Sequence, residues 1–140
     1  VTPQHCRVKH APDDGTYGDC LRACIASLLD LPPEHVPHFA HDGADADTVT
    51  DRLRDWLAQI GVGPWWSHFD GEEPMDVVLD TMGANNPGVH YLLFGCTAGD
   101  EPHVVICRDA AVVWNPAWYG GSLVRAGVHG AWSVMVLARV

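Results

Sequence analysis

At 140 residues the chain has the size of one domain and enough length to bury roughly two-thirds of its unfolded surface, so a single domain spanning 1–140 is expected. Eight Lys plus Arg stand against eighteen Asp plus Glu, a formal net charge of −10, which repels phosphate backbones and argues against nucleic acid as a partner. No stretch reaches eighteen apolar residues, and the opening VTPQHCRVKHAPDD lacks an apolar run of signal length, so no membrane span and no export are expected. Five cysteines, an odd number, leave at least one thiol free. That fits a reducing, cytoplasmic setting.

In chain order, the first element is a helix opening at Asp19, an N-cap residue after Gly18, with apolar Leu21, Cys24, Ile25, Leu28 and Leu29 at helical spacing. Pro32 and Pro33 stop it. A second helix is predicted from about Asp47 to Ile60, with Val49, Leu53, Trp56, Leu57 and Ile60 on the buried side, Asp51, Arg52 and Asp55 solvated, and Gly61 as its stop. EEPMDVVLDTM, residues 72–82, gives a short third helix with Pro74 in its first turn, while residues 41–47 and 68–74 read as acidic loops. After NNPG the chain turns β-rich: VHYLLFG, HVVIC, AVVWN and WSVMVLARV are short strands bounded by turn residues. Helices followed by an antiparallel sheet predict an α+β fold with the leading helix packed on the sheet.

Cys20 and Cys24 frame the chemical question. Cys24 falls inside the apolar stripe and is expected in the core, whereas Cys20 falls at its edge in the first turn, the exposed candidate, where unpaired N–H groups favour thiolate. A cysteine nucleophile needs a base, and the base an orienting group. His103 opens HVVICRDAAVVWN, which reads as a hairpin. A three-residue loop of Arg108, Asp109 and Ala110 would set His103 opposite Asn115, whose amide oxygen could take the ring's Nδ1–H and leave Nε2 as base. A two-residue loop would put them on opposite faces. His90, at the head of the neighbouring strand, is the rival base. Trp65, Trp66, Trp114, Trp118 and Tyr119 could wall a groove or fill the core, and Cys20 and Cys24 with His35, His38 and His41 could instead hold a structural zinc ion.

GDCLRACIASLLDLPPEHVPHF, followed about eighty residues later by HVVICRDAAVVWNP, resembles a papain-like group of small bacterial and phage proteins, and its order of Cys, His and Asp/Asn is similar to that of the leader peptidases of bacteriocin exporters. The resemblance covers about a quarter of the chain. It implies a papain-like fold without cofactor, with Cys20 as nucleophile, His103 as general base and acid, and Asn115, where relatives more often carry aspartate, as orienter. It also implies an upstream glutamine donating to the oxyanion. The one glutamine upstream of Cys20 is Gln4, sixteen positions away. The expected activity is hydrolysis of a peptide, isopeptide or related amide bond in a peptide or protein substrate through a thioester. The alternatives are an acyl transferase on the same fold, a binding module with an idle cysteine, and a zinc-stabilised interaction protein.

Overall fold

In the computed structural model, which describes residues 1–127 and 129–140, the first helix α1 spans Cys20–Leu29 and closes on Asp30, a left-handed residue (φ 55°). The N–H groups of Asp30 and Leu31 both turn back to the Ala26 carbonyl, the usual way a helix satisfies its last carbonyls before proline takes over. Its deepest positions are small ones. Ala23, Cys24, Ile25 and Ala26 are fully buried with Ser27, while Leu21, Leu28 and Leu29 are half-buried, so the apolar stripe is centred on a neighbouring, narrower face than the large residues suggest.

Helix α2 (Ala46–Gln59) starts at Asp45, whose side chain accepts from the Thr48 N–H at 2.8 Å, a true cap. Leu53 and Leu57 form its buried ridge, whereas Ile60 is exposed. Arg52 departs from its expected solvated role: its guanidinium grips both carboxylate oxygens of Asp42 at 2.8 and 2.9 Å and donates to the Phe39 carbonyl. Phe39 in turn meets Trp56 edge to face at 5.9 Å.

The strand β1 (Val62–Asp70) lies where no strand was expected, over VGPWWSHFD, and it absorbs the start of the supposed acidic loop. Gly63 and Pro64 hide it in the sequence. Both are tolerated because β1 is an edge strand, so one side of its backbone needs no partner. Helix α3 (Met75–Asn85) follows, with Pro74 just outside its first turn, and then come β2 (His90–Cys96), β3 (Pro102–Arg108), β4 (Ala111–Trp114) and β5 (Ala131–Arg139). The sheet order is β1-β5-β2-β3-β4, with β5, β3 and β4 joined antiparallel to their neighbours around β2 and β3. The chain is therefore α+β, with a strand set between the helices as well as strands after them.

The described residues pack as two compact units, one of residues 1–64, 116–119 and 137–140 and the other of 65–115 and 120–136. The first holds the N-terminal arm, α1 and α2. In the second, α3 contributes Val78, Leu79 and Met82 to a core shared with Tyr91, Leu93, Val105, Cys107, Leu123, Trp132 and Val134. Burial of each such large side chain is worth about 1.5–3 kcal/mol. The packing is close: a Cβ at Gly83 of α3 would lie 2.6 Å from the Asp109 carbonyl carbon in the β3–β4 turn. Among the described residues no helix is long and apolar enough to cross a membrane.

Candidate functional site

The thiol of Cys20 belongs to the first unit, where the N-terminal arm runs back along α1. Thr2 bonds Asp30 through its hydroxyl at 2.8 Å, Gln4 donates its backbone N–H to Ser27 Oγ at 2.9 Å, and Arg7 and Val8 donate theirs to the Asp19 carboxylate at 2.9 Å. Asp19, expected as an N-cap, makes no cap to α1. Its buried carboxylate is spent on the arm and on Arg22, whose Nε and Nη2 reach it at 3.0 and 2.6 Å. The reason is competition among donors: a guanidinium and two N–H groups of the arm satisfy the carboxylate more fully than one helix N–H would.

The arm thereby delivers Cys6 to Cys20. Their sulfurs are 3.1 Å apart and both remain thiols. Tyr119 approaches from another side, its hydroxyl 3.7 Å from the Cys20 sulfur, with Trp118 edge-on to its ring at 5.2 Å. Cys20 is consequently 9 % exposed, a buried thiol rather than the open one expected from its place at the edge of the helical stripe. The neighbours share one electrostatic tendency. The Cys6 thiol is pushed up, first by its hydrogen bond to Cys20, then by burial and by negative charge on Cys20. The Tyr119 hydroxyl is pushed up by burial and then by that same charge. Both therefore hold their protons more tightly than an ordinary thiol or phenol does. Cys24 is wholly buried, as expected of a core residue.

Gln4 sits in the arm with its backbone N–H on Ser27 Oγ of α1. The folded-back arm, rather than a long loop, accounts for its distance in sequence. The arm also places Cys6 against the Cys20 sulfur, a residue that sequence reasoning passed over. A signal for it existed. PDDG forms a tight turn closed by the Ala11–Thr16 bridge, with Gly15 at φ 74°, and Cys6 and Cys20 flank that turn at nearly equal distances.

His103, the expected base, belongs to the second unit. His103 lies on β3 opposite Gly95 of β2, on the face that also carries Val105 and Cys107, and it is 7 % exposed. A side chain at Gly95 would come within 2.7 Å of both the Trp132 ring and the Arg125 carbonyl, so the strand beneath His103 is tightly seated. The β3–β4 loop has two residues, Asp109 and Ala110, since Arg108 pairs with Ala111. That corrects the three-residue loop. On its own a two-residue loop would turn Asn115 away from His103, but the register slips between Cys107 and Ile106, which face Val112 and Trp114, leaving Val113 as an extra residue. One bulged residue flips the faces back. His103 Nε2 then meets Asn115 Oδ1 at 2.8 Å.

The amide orientation is fixed independently, because Asn115 Nδ2 donates to the Gly121 carbonyl at 3.0 Å. Oδ1 is therefore the atom aimed at the ring, and an amide oxygen only accepts. Nε2 must carry the hydrogen, which makes Nδ1 the basic nitrogen of the neutral ring, the reverse of the expected tautomer. His90, the rival, pairs with Arg108, and burial and that guanidinium hold its pKa below the ordinary histidine value.

The remaining candidates are dispersed. Trp65 and Trp118 are exposed and Trp66 and Trp114 half-buried. His38 Nε2 is 2.7 Å from the Tyr17 carbonyl, and among the described residues no three or more His, Cys, Asp or Glu side chains gather as a metal site, so the zinc alternative finds no ligand set there. No family model, no curated protein and no solved structure matches the chain.

Proposed function

We propose that the protein is a cysteine hydrolase, of papain-like arrangement, that cleaves a peptide, isopeptide or related amide bond through a thioester on Cys20. In this reading His103 Nδ1 takes the thiol proton, the Cys20 sulfur attacks the carbonyl carbon, and the proton passes to the leaving amine. Water, deprotonated by the same nitrogen, then cleaves the thioester and restores the thiol. Asn115 holds Nε2–H and so fixes ring and tautomer. The Cys20 backbone N–H, with Gln4 as the candidate second donor, would bind the oxyanion. The observation that carries the proposal is the His103–Asn115 bond of 2.8 Å with its amide locked by Gly121. A surface histidine at a strand end has no need of such an orienter, whereas a base that must present one chosen nitrogen does.

The test is the pH dependence of Cys20 alkylation by iodoacetamide, read on the tryptic peptide 10–22 in wild type and in His103→Ala, with peptidyl acyl electrophiles used alongside to find the substrate class. Wild type should label Cys20 well below the pH at which an ordinary thiol near 8.5 reacts, and His103→Ala should move that profile upward. Superimposable profiles would leave the cysteine without its base and return the chain to the idle binding module.

A further inference from the structure

The Cys6 and Cys20 sulfurs are 3.1 Å apart, across fourteen residues of sequence, with no disulfide between them. That is about 1 Å more than a disulfide bond, a gap that small rotations about the two Cα–Cβ bonds can close. The approach is imposed by backbone rather than by loose side chains. Gln4 N–H on Ser27, Cys6 N–H on the Pro116 carbonyl, and Arg7 and Val8 N–H on Asp19 pin the arm on both sides of Cys6. Cys20 is equally fixed, as the first residue of α1.

From this geometry we infer that Cys6 and Cys20 are a redox-active dithiol, in which a hydroperoxide oxidises Cys20 and Cys6 resolves it to a reversible disulfide. In the first step the Cys20 thiolate sulfur attacks one peroxide oxygen. The S–O bond forms as the O–O bond breaks, sulfur loses two electrons to the peroxide, and hydroxide (or alkoxide) leaves. In the second, the Cys6 sulfur attacks the Cys20 sulfur of the sulfenic acid. The S–S bond forms, the S–O bond breaks, and the departing hydroxide takes the Cys6 proton as water. A small-molecule dithiol reverses the bond by exchange, becoming oxidised itself. The division of roles follows from position: Cys20 has the helix N-terminus, while Cys6 holds its proton against Cys20 and is a late nucleophile. Cys24 is wholly buried, and burial pushes the Cys107 thiol up to about 12, so these are bystanders. The dithiol itself does not depend on the hydrolase reading. Its consequence does, because a closed bond withholds the Cys20 sulfur from thioester formation and switches the proposed enzyme off.

Trypsin places the two sulfurs on separate peptides, VTPQHCR (1–7) and HAPDDGTYGDCLR (10–22), and Cys24 on a third. The whole protein is treated with hydrogen peroxide at a few equivalents, blocked with iodoacetamide and mapped without reduction. The expected product is peptide 1–7 linked to 10–22, with titratable thiols in denaturant falling from the chain's five by two and recovering with dithiothreitol. Cys6→Ser and Cys6→Ala should carry Cys20 on to sulfinic acid instead. The inference is overturned if wild-type Cys20 runs to sulfinic acid with Cys6 still alkylated, or if the link joins other cysteines, and this wild-type map decides even where a variant does not fold. Reduced protein that forms the link but never attacks an acyl electrophile would sink the hydrolase alone. One that turns over substrate but never links would sink the dithiol alone.

Discussion

The surroundings of Cys20 and of His103 are built by opposite means. Around Cys20 the structure is irregular chain drawn in by polar ties, with a buried carboxylate, Asp19, collecting two arm N–H groups and a guanidinium. Around His103 it is ordinary sheet, set by register and a bulge and backed by an apolar core. The ion pairs divide in the same way: among the described residues Arg125–Asp100 belongs to the second unit, while Val1–Asp30, Arg7–Glu34, Arg22–Asp19, Arg52–Asp42 and the Arg54 pairs belong to the first. Polar ties are specific but fail singly, because each leaves a named partner unsatisfied when it is cut. An apolar core fails more gradually.

The sharpest way to break the contrast is therefore to remove Asp19. Its side chain is wholly inaccessible and that of Arg22 is 18 % exposed, so Asp19→Ala strands a largely buried guanidinium and frees two arm N–H groups at once. Loss of one partner from a buried pair costs about 3–5 kcal/mol, and urea unfolding should show a loss in that range. Asp19→Asn, which keeps an acceptor, should fall between. A loss below about 1 kcal/mol, the worth of an exposed pair, would mean that the arm is held by something other than this carboxylate.

Why one region was easier to read than the other follows from the same physics. Helix α1, its proline stop, helix α2 and four strands announce themselves by period and punctuation. The pairing of His103 with Asn115 was legible in outline, yet for an incomplete reason: RDAA has no Asn-Gly signal to mark a two-residue turn, and nothing marks Val113 as a bulge, so two one-residue errors added to a two-residue shift that restores the shared face but not the direct opposition. Asp19 was legible only as a local cap, since a single residue's sequence context does not reveal which distant donors will compete for it. Cys6 lay in irregular chain with no period to place it. Gly63 and Pro64 concealed β1 because strand propensity says nothing of whether a strand will lie at an edge.

The next perturbation acts on the ordered region and is smaller, because it touches orientation and not folding. Asn115→Ala should slow turnover of the substrate that profiling identifies by about ten- to a hundredfold, less than the roughly 10²–10⁴ lost with a general base itself in His103→Ala. Asn115→Asp should retain most of the rate, since a carboxylate accepts the same Nε2–H and steadies the imidazolium. Thermal unfolding of all three should stay near wild type, the core cluster being untouched. Asn115→Ala turning over at the wild-type rate would show that the 2.8 Å bond orients nothing that matters.

The smallest effect expected is a difference in how the two regions meet acid. Three carboxylates of the first unit are held below their ordinary range: Asp42 by its hydrogen bonds to Arg52, Asp30 by the Thr2 hydroxyl and then the N-terminal ammonium, and Asp45 by the Thr48 backbone N–H. A carboxyl with a lowered folded pKa binds fewer protons folded than unfolded, so its stabilisation is complete above the unfolded value, about 3.9, and drains away as pH falls through the folded one. All three are exposed, so each is worth little, but they act on the arm and on the start of α2 together. Amide exchange, corrected for its intrinsic rate and compared at pH 5 with pH 3, should therefore lose protection first at Thr2, Gln4 and Thr48 while the β2 and β3 amides keep theirs. Asp42→Asn should remove part of that difference without changing protection in β2 and β3, because it cuts the Arg52 fork and no contact of the sheet. If acid instead opened β2 and β3 first, the sheet that seats His103 would be the weaker structure, and the division between a polar-tied thiol and a core-backed imidazole would be wrong.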